Sequence, residues 1–185
     1  MGYCGGKTPH PTYQSIGDHT EAISIDYDPQ QLSYEDLLKR FWSSHPCQSP
    51  VYSLQYRHAI FTRNDAQNAA AEKSLSQQAR SLGIEESAIS TEIVSIDQFT
   101  LAERYHQNYR LAPHDPIRQF LEATYPGIKP FADSGVATRL NAFVGYPNLK
   151  AQALIRKELA SYGLPKDLED QIKDRLRDLE PGSGS

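Results

Sequence analysis

The sequence predicts an α/β fold, an α+β sandwich built on a split βαβ core, followed by an all-helical C-terminal extension. Three observations predict it. Residues 21–28 alternate, with Ile23, Ile25 and Tyr27 on one face and Ser24 and Asp26 on the other, the period of a half-buried strand. A long alanine-rich segment opens at Asn64, with Gln67 three residues on, and closes at Gly83, so a capped helix lies between strand-like stretches. From Asp115 onward only helical periodicity is left.

Taken in order, residues 2–13 carry glycines at 2, 5 and 6 and prolines at 9 and 11, which predicts a loop rather than a helix or central strand. Asp28-Pro29 ends the strand that follows. Ser33 with Glu35 and Asp36 gives an N-cap and an acidic first turn for a helix through Ser43 that buries Leu37, Leu38, Phe41 and Trp42. His45-Pro46 closes it, and residues 47–53 read as a loop. A second strand is expected over 54–62, the alanine-rich helix to Leu82, a third strand over 91–96, and a short helix over 101–110. Asp115-Pro116 starts a helix to about Tyr125, Ser134 caps one through Val144, and another runs from Asn148 to Tyr162, ahead of Gly163. Leu168, Ile172, Leu176 and Leu179 form one apolar stripe on a last helix, suited to the domain's own core or to a partner. The expected organisation is therefore a core over 1–112, a helical extension over 113–180, and a flexible end over 181–185.

Composition narrows the function. Lys plus Arg is 19 and Asp plus Glu 23, a net charge of −4 with no basic stripe, which argues against nucleic acid held by phosphate contacts. Apolar content of 38% and mean hydropathy of −0.60 suit a soluble chain, and no apolar run approaches the ~20 residues that span a bilayer. Two cysteines make no disulfide framework, so a reducing compartment, the cytoplasm, is expected, although an N-terminal address could precede Met1. His19, His45 and His106 match no compact ligand spacing, and no metal is expected. His19 either tunes the neighbouring Glu21 or fills a turn, and His106 is expected to tie its short helix to the core.

Seven pieces in order carry a family resemblance. They are the loop Gly2-Tyr3-Cys4-Gly5-Gly6 through Pro11-Thr12-Tyr13; Glu21 opening a stretch that ends Tyr27-Asp28-Pro29; Leu32-Ser33-Tyr34-Glu35-Asp36-Leu37-Leu38; Phe41-Trp42; His45; Gln55-Tyr56-Arg57 with Ala59-Ile60; and Tyr105-His106-Gln107 with Tyr109. Together they resemble the A-type peptide methionine sulfoxide reductases. The resemblance implies a ferredoxin-like core and reduction of methionine (S)-S-oxide, in peptides or free. It also implies no bound cofactor, with thioredoxin or dithiothreitol as external reductant. Residues 131–177 look like an extension belonging to a divergent branch.

Two departures stand out. The family's nucleophile is a cysteine in a Gly-Cys-Phe-Trp motif ahead of the glycine-rich loop, and neither Cys4 nor Cys47 lies in such a motif. The family's aspartate five residues before the tyrosine of Gln-Tyr-Arg is Val51 here. The expectation is a core incomplete at its N-terminus, whose exposed apolar sheet edge makes it aggregate or depend on a partner unless the tail covers it.

The chemistry sets the roles. A sulfoxide oxygen leaves only when protonated, so reduction needs a thiolate to attack sulfur and an acid to deliver a proton. By the resemblance Glu21 is the acid, and Tyr13 and Tyr56 donate hydrogen bonds to the oxygen. On the residues alone, Glu21 reads better as a solvated strand-end carboxylate and Tyr56 as a core tyrosine. Cys4, flanked by glycine and expected to be exposed, is the candidate replacement nucleophile; either Cys4 or Cys47 could resolve a sulfenic acid, and Cys47 reads otherwise as an idle thiol. The alternative function is a non-catalytic relative, a binding or interaction module whose helical tail recruits a partner.

Overall fold

A computed structural model describes residues 1–179 in two units, Met1–Ala102 and the residues from Glu103 onward. It is mixed α/β with C-terminal helices, as the sequence predicts. In the first unit, β1 (Gly2–Cys4) lies between β2 (Thr20–Ala22) and β5 (Phe99–Leu101) in an antiparallel sheet, with Tyr3 opposite both Glu21 and Thr100. A second sheet pairs β3 (Ala59–Thr62) in parallel with β4 (Glu92–Ser95), Ile60 opposite Ile93. A parallel pair needs a crossover, and α2 (Asp65–Leu82) supplies it.

Local chemistry sets the helix ends. Ser33 caps α1 (Tyr34–Ser43) by accepting the Asp36 N–H, and Asn64 caps α2 by accepting that of Gln67 at 2.9 Å. The Gln67 side chain returns the favour to the Arg63 N–H, and Gly83 ends α2 at φ 65°, a left-handed turn that favours glycine. Ala71 and Ala79 present small faces, so α2 lies close over Leu38, Trp42 and Ile60, and the Trp42 indole donates to Ser74 Oγ at 2.9 Å.

Several sequence expectations are corrected. Gly2–Cys4 is a central strand, not loop: the prolines fall later, and the Phe99 ring occupies the place a Cβ on Gly2 would take. The strand expected over 21–28 stops at Ala22, because alternation supplies a face but no ladder partner, and Ile23 and Ile25 are 66% and 49% exposed. That expected over 54–62 begins only at Ala59, after a turn in which the Tyr56 N–H donates to Ser53 O. In place of a helix over 101–110 there are β5 and two 3₁₀ turns, Arg104–His106 and Tyr109–Leu111, between which Asn108 takes φ 47°.

The second unit is helical: α3 (Asp115–Thr124), α4 (Ile128–Asp133), α5 (Gly135–Gly145), α6 (Leu149–Glu158) and α7 (Lys166–Asp178). His114, not Asp115, holds the N-cap position of α3, while Ser134 caps α5 as expected; Asn148 caps α6, and α4 has no counterpart among the expected helices. Phe131, Leu140, Phe143, Ile155 and Ile172 form its core. The stripe of α7 is spent there, with Leu168, Ile172 and Leu176 all buried, so it is not a free face for a partner. Arg118 organises the turns: it donates to the carbonyls of Arg104 (3.1 Å) and Gln107 (3.4 Å), pairs with Glu122 and lies over the Phe131 ring. The expected flexible end, 181–185, lies outside the described residues.

Phe143 is wholly buried, and Phe143→Ala is expected to destabilise the helical unit by about 3–5 kcal/mol. Leu149→Ala, on an exposed side chain, should stay within ~0.5 kcal/mol. Hydrogen exchange of the α5 amides measures both, and equal protection in the two variants would contradict this core assignment.

Candidate functional site

The loop after β1 is held by one carboxylate. Asp18 accepts the backbone N–H of Lys7 (2.8 Å) and of Thr8 (2.9 Å) and the Thr8 hydroxyl (2.7 Å), and these bonds hold its pKa well below the usual carboxylate range. A Cβ on Gly6 would strike Asp18, and Gly17, at φ 62°, packs against the Thr8 side chain. His19 braces the same loop: its Nε2–H donates to Thr8 O at 2.8 Å and Nδ1 accepts the Gly6 N–H at 3.3 Å, a neutral ring used for structure. The chain then turns at Thr12–Ser15, each accepting the other's N–H, and Tyr13 projects from that turn.

A second set of bonds ties residues 54–57 to β2. Thr20 Oγ1 donates to Leu54 O at 2.9 Å, the Glu21 N–H donates to Gln55 O at 3.0 Å, and Arg57 Nε donates back to Thr20 Oγ1 at 2.7 Å. Glu21 and Tyr56 are therefore brought to one place from positions 35 residues apart. The Gln55 carboxamide joins them, 3.3 Å from Glu21 Oε1 and 3.0 Å from the Tyr56 hydroxyl oxygen. Tyr13 is hydrogen-bonded to Tyr56; that bond first, then burial and the charge of Glu21, raises the Tyr56 pKa.

The three residues singled out in the sequence, Glu21, Tyr13 and Tyr56, thus share one cluster. Tyr56 is 60% exposed and Tyr13 41%, so Tyr56 is not the core tyrosine that its motif could have been, while Glu21 is half-buried. Val51 lies exposed without a polar group to offer. Tyr105 and Tyr109 belong to the second unit, both exposed.

The thiols are placed differently from expectation. Cys4 is 1% exposed in the central strand rather than displayed on a loop, and burial pushes its pKa up to about 11 against the partial offset of Arg57 and Arg63. At neutral pH that leaves a thiolate fraction of roughly 10⁻⁴. Cys47 is buried against the Leu38 and Trp42 layer, and the two are free thiols. Among the described residues no three His, Cys, Asp or Glu side chains converge as metal ligands, and no helix is long and apolar enough to cross a membrane. The residues Asp18, Gln55 and Arg57 stand in or beside the sequence motifs, but their positioning roles are not read from them; the signal for Asp18 is a glycine-rich loop whose N–H groups need an acceptor.

The peptide methionine sulfoxide reductase family profile matches residues 1–131. A peptide methionine sulfoxide reductase of Drosophila melanogaster is 38% identical over 161 residues, covering 83% of this chain and 62% of that protein. Peptide methionine sulfoxide reductase A5 of Arabidopsis thaliana is 33% identical over 181 residues, 95% of this chain and 65% of its own length, so the likeness extends into the helical unit. The enzyme MsrA of Escherichia coli O6:K15:H31 is 44% identical over 119 residues, 58% of this chain and 56% of its own. The chain spans between about half and two-thirds of the length of these three relatives. On these matches the chain belongs to the A-type peptide methionine sulfoxide reductase family.

Proposed function

We propose that this chain carries the acid and hydroxyl half of a peptide-methionine (S)-S-oxide reductase site, acting in protein repair on oxidised methionine in peptides or as the free amino acid. The observation that carries the reading is a single hydrogen-bonded cluster open to solvent, in which Gln55 joins Glu21 to Tyr56 and Tyr56 is bonded to Tyr13. Tyr13 and Tyr56 hold the sulfoxide oxygen, Glu21 protonates it, and a thiolate attacks sulfur. The attack forms a bond between the two sulfurs while the protonated oxygen is still held on the methionine sulfur. As that sulfur–sulfur bond and the S–O bond break, the hydroxyl passes to the cysteine sulfur, so methionine leaves two electrons reduced and the thiol becomes a sulfenic acid. A second thiol condenses with it, releasing water, and a thioredoxin-like dithiol, or dithiothreitol, reduces the disulfide. On this proposal the attacking thiol belongs to a Gly-Cys-Phe-Trp segment that these 185 residues do not contain. Residues 1–112 serve as the reductase core and 113–180 as its extension, in the cytoplasm.

A second reading has one observation in its favour, the burial of both thiols. On that reading the chain by itself binds methionine sulfoxide without turning it over.

Assayed with dithiothreitol, the 185-residue chain should reduce neither epimer, and Cys4→Ser and Cys47→Ser should change nothing. In NMR titrations the S-epimer peptide should shift the Tyr13, Glu21 and Tyr56 signals more than the R epimer; equal or absent shifts would reject the site. Joined to the Gly-Cys-Phe-Trp strand of a curated relative, the chain should reduce the S epimer, which excludes the purely non-catalytic reading. In that active form Glu21→Gln should lower kcat/KM by on the order of 10²–10⁴-fold, and Tyr56→Phe by on the order of 10²-fold.

The loop that delivers Tyr13 rests on Asp18, whose pKa is lowered on folding. Its stabilisation is complete above the unfolded carboxylate value, about pH 4, and is lost as pH falls further toward the folded value. Asp18→Asn should therefore lower Tm by a constant amount from pH 6 to 8, and the gap should narrow below about pH 4. A gap that widens in acid contradicts this role.

A further inference from the structure

We infer that Gln55 is the positioning residue of this cluster, fixing which oxygen of Glu21 carries the proton and turning the Tyr56 hydroxyl proton away from the amide, to the side where Tyr13 stands. The inference rests on the reading of Glu21 as the acid. A carboxamide nitrogen has two N–H donors, and here both have acceptors, Glu21 Oε1 at 3.3 Å and the Tyr56 oxygen at 3.0 Å. Toward an ionised Glu21, which can only accept, the amide presents its nitrogen rather than its oxygen. With Oε1 accepting from Gln55, a protonated Glu21 holds its proton on Oε2. After the proton moves from Oε2 to a sulfoxide oxygen, the carboxylate left behind is stabilised by the same donor. The Tyr56 oxygen already accepts a bond, so its own proton points away from Gln55.

The main chain makes this amide a fixed reference. Leu54 O accepts from Thr20, Gln55 O accepts from the Glu21 N–H, and Arg57 donates to Thr20, so the segment is pinned on both sides of Gln55. None of those bonds uses the Gln55 side chain. Gln55→Leu therefore removes the amide and leaves the anchoring in place.

The test is the titration of Glu21 followed by carboxyl ¹³C NMR in the 185-residue chain and in Gln55→Leu. Loss of a donor to the carboxylate should move the Glu21 midpoint upward, and the Tyr56 phenol should also titrate higher. Unchanged midpoints in a folded variant would overturn the inference. Should Gln55→Leu fail to fold, the unmodified chain decides: the Gln55 side-chain amide protons should shift with the Glu21 titration, and this pH dependence should vanish in Glu21→Gln. Amide shifts that stay flat through that titration would also overturn it. Neither measurement needs sulfoxide binding or turnover, so this result and that of the reductase reading fail independently.

Discussion

The first unit depends on where the charge of Arg57 goes. Its side chain is nearly buried, and a buried guanidinium without partners would cost several kcal/mol. Nε donates to Thr20 in the three-stranded sheet, Nη1 to Glu92 of the two-stranded sheet at 2.7 Å, and the plane lies over the Phe61 ring. One cation thereby ties together two sheets that share no hydrogen-bonded strand. The neighbouring backbone has adapted to it: a Cβ on Gly5 would meet Phe61 and Arg57, and Gly5 has φ 78°. Because Glu92 is half-exposed, water screens part of this pair, and its main value is geometric.

That geometry reaches the candidate site within a few bonds. Arg57 fixes Thr20, Thr20 fixes Leu54, and between them Glu21 and Gln55 are paired through the backbone. From the other side Asp18 and His19 hold the loop that ends in the Tyr13 turn. Two sets of polar contacts, one through a buried cation and one through a carboxylate cradled by backbone N–H groups, converge on the same three side chains. Loops positioned this way can carry precise chemistry without belonging to a helix or strand.

What the sequence made legible follows from the range of the interactions involved. Caps at Ser33, Asn64 and Ser134 act over three residues, and these helices sit where their patterns put them. Strands need a partner far along the chain, and their ends were misjudged: Ile23 and Ile25 have the right alternation and no ladder, while Gly2–Cys4 looked like a loop and pairs on both sides. The site shows the same split. Glu21, Tyr13 and Tyr56 came from motif resemblance, whereas the roles of Gln55 and Asp18 exist only once residues 10 to 34 positions apart are brought into contact. The exposure of Cys4 was misread for that reason too, since flanking glycines say nothing about a strand packed on either edge.

The burial of the thiols and the openness of the acid cluster then make one argument. A proton donor for a sulfoxide must reach solvent-borne substrate, and a nucleophilic thiol must ionise, which favours a cationic and accessible setting. Here the cation that acts most on Cys4 is Arg57, and its bonds go to Thr20 and Glu92; its field offsets only part of the burial that raises the thiol. Freeing Arg57 to activate Cys4 would unlink the two sheets and release Glu21 and Gln55 from their shared anchor. Its cysteines are therefore poorly placed to ionise, while Glu21, Tyr13 and Tyr56 are held at an open cluster, an arrangement that accords with the proposal of a thiol supplied by a different segment.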